Sequence, residues 1–510
     1  MNPTQESESL LEGMKAHRAG RLGEARARYE AVLRQNPRHP QALNLMGLVS
    51  VAEKRPEDGI GFFEASLEAD PAFAAAWSNL GSALMSVGRG GDAVDAHKRA
   101  VELDPGSAAV HTNLGIALDA MGRRDEAALS FMRAVDLEPR MAEAHNNLGN
   151  VRRAQGDLGQ AAGHYLRALE VRASYPDAWC NLGNLLLEDG RPHEAEEAFA
   201  RALRLDPRLA RAHNKRSEAL RALGRFGEAL AASDAALMLE PDFSEAQTNR
   251  GCALQALQRW DEALEAHRRA AEGRGGDPAV AWNNLGNCLL SLNRTQEALD
   301  SYRRARSLLP SSPSAEFNES LVHLVEGRLL QGWEGYEKRW ELKARNLRKR
   351  PVQDRPSWDG RESLDGRSIV VYSEQGLGDT FQFARYIPLL AERGAKVHAV
   401  VQPAARSLIS RVAGVHSAST PGEPWPDCDF HCPLLSLPRA FRTEIASIPS
   451  NVPYLAADPE QARKAGERMP VGRRRIGFVW AGNPGNPNDR NRSLPADILL
   501  GACAAPGTAR

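Results

Sequence analysis

Apolar, small and polar positions recur along the first two thirds of the chain with a step of 34 residues. Between Ala144 and Pro207 the series Ala144, Asn147, Leu148, Gly149, Ala161, Tyr165, Ala168 begins again as Ala178, Asn181, Leu182, Gly183, Ala195, Phe199, Ala202. Each pass predicts two helices joined by a turn, since these spacings keep the apolar groups on one face of a helix. Extended in both directions, the small position falls on Gly13, Gly47, Gly81, Gly115, Gly149, Gly183, Ser217 and Gly251. One extra residue between Gly273 and Pro278 moves the next to Gly286, and a degenerate copy follows at Ser320.

Each register position has a physical reason. Glycine inside a helix costs roughly 1 kcal/mol against alanine, so its recurrence at one place implies a packing return, a close approach of the two helices. Twelve residues on, a second small residue recurs as Ala25, Ala93, Ala127, Ala161, Ala195, Ala229, Ala263 and Ala298. Four further on comes a ring, as in Tyr29, Phe63, Phe131, Tyr165, Phe199 and Tyr302. Proline then stops the second helix at Pro37, Pro71, Pro105, Pro139, Pro207, Pro241 and Pro310, because it lacks the amide donor and clashes with the turn before it.

Period and pattern together resemble the tetratricopeptide repeat, in about nine copies. The resemblance implies helix pairs stacked as a right-handed superhelix with a concave groove lined by the first helix of each pair. Three departures stand out: Gly59 in place of the small alanine, Ala173 in place of proline, and Arg216-Ser217 in place of Leu-Gly. They put local packing in doubt, and leave the fold expectation standing. Loosened periodicity from Phe317 to Trp340 is what a terminal cap requires, so the solenoid is expected over residues 9–342.

Composition narrows the partners. Lys plus Arg and Asp plus Glu are both 65, so no net field favours nucleic acid or an anionic membrane surface. No apolar run is long enough for a membrane span, and Met1 to Gly20 lacks the apolar core of a secretory signal. A soluble, cytoplasmic protein is expected, without membrane insertion. Cys180, Cys252 and Cys288 lie beside the small register position and read as small buried hydrophobes, not as a disulfide framework.

Two asides concern metals. Cys428, His431 and Cys432 (DCDFHC) have no second pair at zinc-type spacing, and read as a buried strand ending at Pro433, with no metal site expected. His111, His145 and His213 share a register with Trp77, Trp179 and Trp282, which makes them packing rings before ligands or acid–base groups.

On the groove side, asparagine recurs two residues before the small position, as Asn79, Asn113, Asn147, Asn181, Asn249, Asn284 and Asn318. An amide offers donors and an acceptor, so a ladder of them can pair with the backbone of an extended peptide. The repeats of O-GlcNAc transferases, which these resemble, use an asparagine ladder in that way. Asparagine is also frequent at this register in tetratricopeptide repeats generally, and both readings stay open. A protein or extended peptide in the groove is the expected partner.

Beyond a basic linker over residues 343–367, which includes Lys343 to Arg350 (KARNLRKR), the periodicity becomes strand-like. Strands at Ser368–Ser373 and Lys396–Val401, with helices at Thr380–Arg393 and Pro403–Val412, argue for βαβ units and a parallel sheet. Arg475–Trp480 opens another such unit. The fold class is thus mainly α, a superhelix followed by a partial α/β domain.

The loop Glu374-Gln375-Gly376-Leu377-Gly378-Asp379 lies at a carboxyl strand end, where open α/β sheets collect ligands, and its glycines let backbone amides approach a polar group. With PSWDG before it and WAGNP and NDRNRSLP after it, this part is similar to the heptosyltransferases of glycosyltransferase family nine, which have the two-domain GT-B fold. The resemblance implies a Rossmann-like half over residues 368–470 and the start of a second over 471–510. It also implies a general base at Asp379, whose other reading is a helix N-cap. Gly376, Gly378 and the basic pair Arg492 and Arg490 would face the donor phosphates, although both arginines also read as exposed residues of a polar loop. Such chemistry needs deprotonation of an acceptor hydroxyl and positive charge or amide donors at the leaving phosphate. No cofactor is expected apart from a nucleotide-sugar donor if the domain is active. Because the chain ends about thirty residues into the second half, a truncated product with little transferase turnover is the expectation. The alternative is an active glycosyltransferase acting on a protein or glycan acceptor.

Overall fold

The computed structural model describes residues 3–273, 276–342 and 355–467. The chain divides into two compact units, Met1–Glu326 and Gly327–Arg510. The first is a series of antiparallel helix pairs, from Pro3–Arg18 and Leu22–Leu33 through Ala142–Ala154 and Leu158–Val171 to Pro278–Ser291 and Thr295–Leu308. Each helix packs on the one before and the one after it, and first helices also touch the first helices of adjacent pairs. The result is the superhelix-like stack of tetratricopeptide repeats.

The glycine register is a steric fact. A Cβ built on Gly115 or Gly149 would sit 2.6 Å from the ring of Phe131 or Tyr165, and on Gly47, Gly183 and Gly286 it would meet Phe63, Phe199 and Tyr302 at 2.5 to 2.7 Å. Every one of these rings is buried. The seventh pair keeps the helices close with different atoms: Ser217 Oγ lies 2.7 Å from Ser233 Oγ and donates to Ala229 O at 2.8 Å. Two small hydroxyls replace a hydrogen and a ring. Gly59 is explained as well, since its Cβ would fall 2.7 Å from Val51 Cγ2 and 3.1 Å from Gly47 O.

Two members of the ring register, His97 and His267, are histidines with 2% and 0% exposure. Burial pushes both imidazoles down to about 4, with Arg221 adding to the effect at His267. Nδ1 of His97 and both ring nitrogens of His267 meet no hydrogen-bond partner among the described residues. These imidazoles occupy positions that phenylalanine fills elsewhere.

The other ring register has a distinct duty. Trp77 Nε1 donates to Pro71 O at 2.9 Å and Trp179 Nε1 to Ala173 O at 3.0 Å. His111, His145 and His213 place Nε2 at 3.1 to 3.2 Å from Pro105 O, Pro139 O and Pro207 O. A carbonyl only accepts, so Nε2 carries the proton in all three. Indole and imidazole are interchangeable here because each offers one N–H at the ring edge to a carbonyl that the ended helix leaves unpaired. The helix Leu158–Val171 stops without a proline, and Ala173 keeps its carbonyl bond.

Turns inside each pair use one left-handed residue, Gly at 20, 88, 122, 156, 190 and 224, but Lys54, Gln258 and Asn293 in three copies. The next amide reaches back to the helix, as Arg89 N does to Leu84 O at 2.9 Å, in the manner of a Schellman closure.

In the second unit, strands β1 (Ser368–Tyr372), β2 (Lys396–Val400), β3 (Val415–Ser419) and β4 (Phe430–Pro433) form a parallel sheet in the order β3-β2-β1-β4. The buried strand ending at Pro433 is thus present, with His431 and Cys432 buried. Trp358 of the PSWDG segment is 1% exposed and donates its amide to His431 O at 2.9 Å, while the left-handed Gly360 leaves no room for a Cβ against Ala440 O. The helix expected over Thr380–Arg393 is corrected to three pieces, Leu377–Phe383, a 3-10 turn Ala384–Tyr386, and Ile387–Glu392. Pro388 has no amide to return to the Ala384 carbonyl, which breaks the run. The helix Leu329–Tyr336, expected as part of the solenoid's cap, groups with this second unit. The expected strand Arg475–Trp480 and most of Lys343 to Arg355 lie outside the described residues.

A histidine whose folded pKa is depressed contributes its full stability above about pH 6.5 and loses it as pH falls toward its folded value. The free energy of unfolding is therefore expected to fall between pH 6.5 and about 4, by on the order of 3 kcal/mol per ring. His97→Phe and His267→Phe together should flatten that part of the profile in urea titrations. An unchanged acid loss in the double variant would contradict the assignment.

Candidate functional site

Once a first helix has given one face to its own partner and another to the preceding pair, its remaining face is turned to neither. In the sixth to ninth copies, counted by Gly183, Ser217, Gly251 and Gly286, that face lines a cavity of about 1290 Å³. Each helix supplies residues at the same offsets: six before the small position (Asp177, Arg211, Glu245, Val280), two before it (Asn181, Lys215, Asn249, Asn284), and one after it in three copies (Asn184, Glu218, Cys252). The spacing is that of one stripe along a helix. Glu240, Pro241, Asp242, Phe243 and Asp277, from the ends of the second helices and the turns after them, close one side.

The structure brings Asn181, Asn249 and Asn284 to this one cavity. Asn79, Asn113, Asn147 and Asn318 hold the same register in other copies, outside its lining. Much of the ladder is bonded internally. Asn79 donates to Asn44 Oδ1, Asn181 to Asn146 Oδ1 and Asn318 to Asn283 Oδ1, each at 2.9 Å, and Asn113 donates to Ser78 Oγ at 3.0 Å. Asn249 donates to Asn214 Oδ1 at 2.7 Å and accepts from Arg221 at 2.7 Å. Each amide thus ties its helix to the first helix of the preceding pair. A primary amide has two N–H groups and a carbonyl, so one tie leaves capacity for a second partner. Asn147 meets Asn146 at 3.5 Å, and Asn284 is only 4.0 Å from Cys252 Sγ.

Sequence reasoning missed the interruption of the ladder. Lys215 stands where asparagine is expected, and its ammonium lies 2.9 Å from Glu218. It also missed the acidic residues six before the small position, a signal present in the same register count. Cys180 and Cys252 line the wall as free thiols; burial pushes Cys180 up to about 12 and raises Cys252. A thiol that stays protonated is a poor nucleophile.

The second candidate is the loop after β1. Glu374 is held by Arg339, whose guanidinium is wholly buried and meets Glu374 at 2.8 Å, Glu337 at 2.7 Å and Ser436 Oγ at 2.8 Å. Burial works against the arginine's charge, but the flanking carboxylates hold its pKa above the ordinary value. Gln402 donates to Gln375 O at 2.6 Å and accepts from Thr380 Oγ1 at 2.9 Å. Gly376 and Gly378 are exposed, and Asp379 is half-buried with Oδ2 accepting from the Gly376 amide at 3.1 Å. Asp379 therefore sits three residues into the helix Leu377–Phe383 and satisfies a donor at its start. Arg490 and Arg492 lie outside the described residues. Among the described residues no cluster of three or more His, Cys, Asp or Glu is placed to hold a metal, and no helix is long and apolar enough to cross a membrane.

Models of the tetratricopeptide repeat match residues 10–72, 55–108, 108–141, 140–208, 180–244 and 242–311. Protein FlbA of Caulobacter vibrioides is 31% identical over 87 residues, which cover 16% of this chain and 14% of FlbA. Among solved structures, MamA is similar at 25% identity over 32% of this chain and 97% of MamA, with a TM-score of 0.30. YrrB, described as a TPR protein with an unusual peptide-binding site, is similar at 23% identity over 35% of this chain and 92% of YrrB, with a TM-score of 0.32.

Internal bonding separates members of the ladder. Asn249→Ala strands Asn214 and Arg221, and is expected to cost about 1–3 kcal/mol in denaturant unfolding. Asn284→Ala, which loses only a distant sulfur, should cost less than about 1 kcal/mol. Equal losses would contradict this division.

Proposed function

We propose, from a chain whose residues 10–311 are tetratricopeptide repeats, that the protein is a scaffold holding a segment of another polypeptide along the inner face of its repeat unit. The observation that carries this reading is the cavity of about 1290 Å³ lined by the same helical stripe in four successive copies. A repeating wall suits a repeating ligand, and an extended backbone offers donors and acceptors at regular intervals. The residual amide groups of Asn181 and Asn284 are the partners proposed for it, with Asn249, held by Asn214 and Arg221, continuing the register between them. Asn79, Asn113, Asn147 and Asn318 extend the same register beyond the cavity.

Selection of binders from a random peptide library on the full chain tests this. Selected peptides should lose binding to an Asn184→Trp, Thr248→Trp variant, in which two larger side chains of the lining fill the cavity. Peptides held equally well by a folded variant would contradict the reading.

For the second unit we propose the first, Rossmann-like half of a glycosyltransferase-like domain, with little transferase turnover. The four-stranded parallel sheet, with exposed glycines at the carboxyl end of β1, supports that assignment. In it Asp379 stands at the acceptor side, with Gly376, Gly378, Arg490 and Arg492 assigned to the donor phosphates. A nucleotide-sugar turnover assay of the chain beside its Asp379→Asn variant should give no difference. Turnover that depends on Asp379 would instead favour an active glycosyltransferase.

A further inference from the structure

Charge is unevenly spent on the cavity wall. Six carboxylates line it, Asp177, Glu218, Glu240, Asp242, Glu245 and Asp277, against three cations. Two of the cations are already engaged in the wall, Lys215 with Glu218 at 2.9 Å and Arg221 with Asn249 Oδ1 at 2.7 Å. Among the described residues, none of the other five carboxylates has a cation within salt-bridge distance, although Asp277 accepts two amides at the start of its helix. The chain as a whole is neutral, with 65 basic and 65 acidic residues. The excess is therefore a local property of this wall.

Apolar surface shares the lining with the acids, from Leu209, Phe243 and Val280. Lysine and arginine carry a charged head on an aliphatic stem, and lay the stem on apolar surface while the head reaches a carboxylate. A wall that combines carboxylate and hydrocarbon matches that side chain better than an acidic or a purely apolar one.

We propose that the occupant of the cavity is an extended polypeptide segment carrying several lysine or arginine residues, a step that rests on the groove reading above and adds the chemistry of the ligand. Asp177 and Glu245 take basic side chains from the inner stripe, and Asp242 does so from the turn that closes one side. The residual asparagine amides hold the backbone between them. An acidic segment meets net repulsion instead, because Lys215 is already neutralised by Glu218 and Arg211 is outnumbered by the remaining carboxylates.

Fluorescence polarisation on the full chain with three short labelled peptides tests this. The peptides share a neutral backbone and carry arginine, serine or glutamate at alternate positions. The arginine peptide should bind at least about tenfold tighter than the serine one, and its affinity should fall as salt rises. Asp177→Asn with Asp242→Asn and Glu245→Gln should weaken it by about tenfold. Removing the same charge elsewhere, by Glu64→Gln with Glu68→Gln and Asp136→Asn, should leave it unchanged. Equal weakening by the two triple variants would overturn the proposal, as would serine or glutamate peptides that bind as tightly. Library peptides that carry no excess of basic residues, yet are lost in the Asn184→Trp, Thr248→Trp variant, would overturn it while leaving the groove reading intact. Library peptides indifferent to the filled cavity would remove both.

Discussion

A hydrogen in place of a methyl at one helix position, facing a ring sixteen residues later, is the contact on which the repeat unit depends. The two helices of a pair approach closely only because nothing larger stands at Gly47, Gly115, Gly149, Gly183 or Gly286. Burial of the ring stabilises by roughly 1.5–3 kcal/mol, which outweighs the roughly 1 kcal/mol that a helical glycine costs. The seventh pair shows that the constraint is one of distance and volume, since Ser217 and Ser233 satisfy it with a hydrogen bond. No pair covers its own apolar faces, so each locked hairpin also needs its neighbours.

That division of labour decides where function can reside. In a first helix, one side is taken by its own partner and another by the preceding pair. The asparagine register adds ties to the preceding first helix, as Asn181 does to Asn146. What remains is a single stripe per helix, part of it already spent on those ties. The cavity between the sixth and ninth copies is built from that stripe.

Most of the repeat architecture was legible because a steric rule repeated at a fixed step leaves a periodic trace. Glycine, alanine and the ring could be read at their registers, and so could the interchange of tryptophan and histidine, although their shared N–H bond to a carbonyl could not. His97 and His267 were hidden in the ring register because histidine is not read as apolar, yet burial makes each behave as one. Left-handed turn residues were legible as glycine and illegible as Lys54, Gln258 and Asn293. In the second unit β1 and β2 were foreseen from apolar runs, and β4 from reading DCDFHC as a buried strand and not a metal site. β3 was missed because Val415–Ser419 is half-exposed and polar, and the long helix was overdrawn across Pro388. The asparagines could be placed on the inner stripe, but their ties across pairs need two helices in register, which one line of sequence does not display. The acidic wall was missed for the same reason: its members come from three first helices and the turns between them.

A double-mutant cycle on one pair tests the central claim most directly. Gly149→Ser drives a side chain into the Tyr165 ring, Tyr165→Ser leaves a void, and the two together reproduce the Ser217–Ser233 arrangement in the fifth copy. Denaturant unfolding should show the double variant more stable than the sum of the single losses by at least about 1 kcal/mol. Losses that simply add would mean that glycine and ring act independently, and that close approach of the helices is not what sets the repeat.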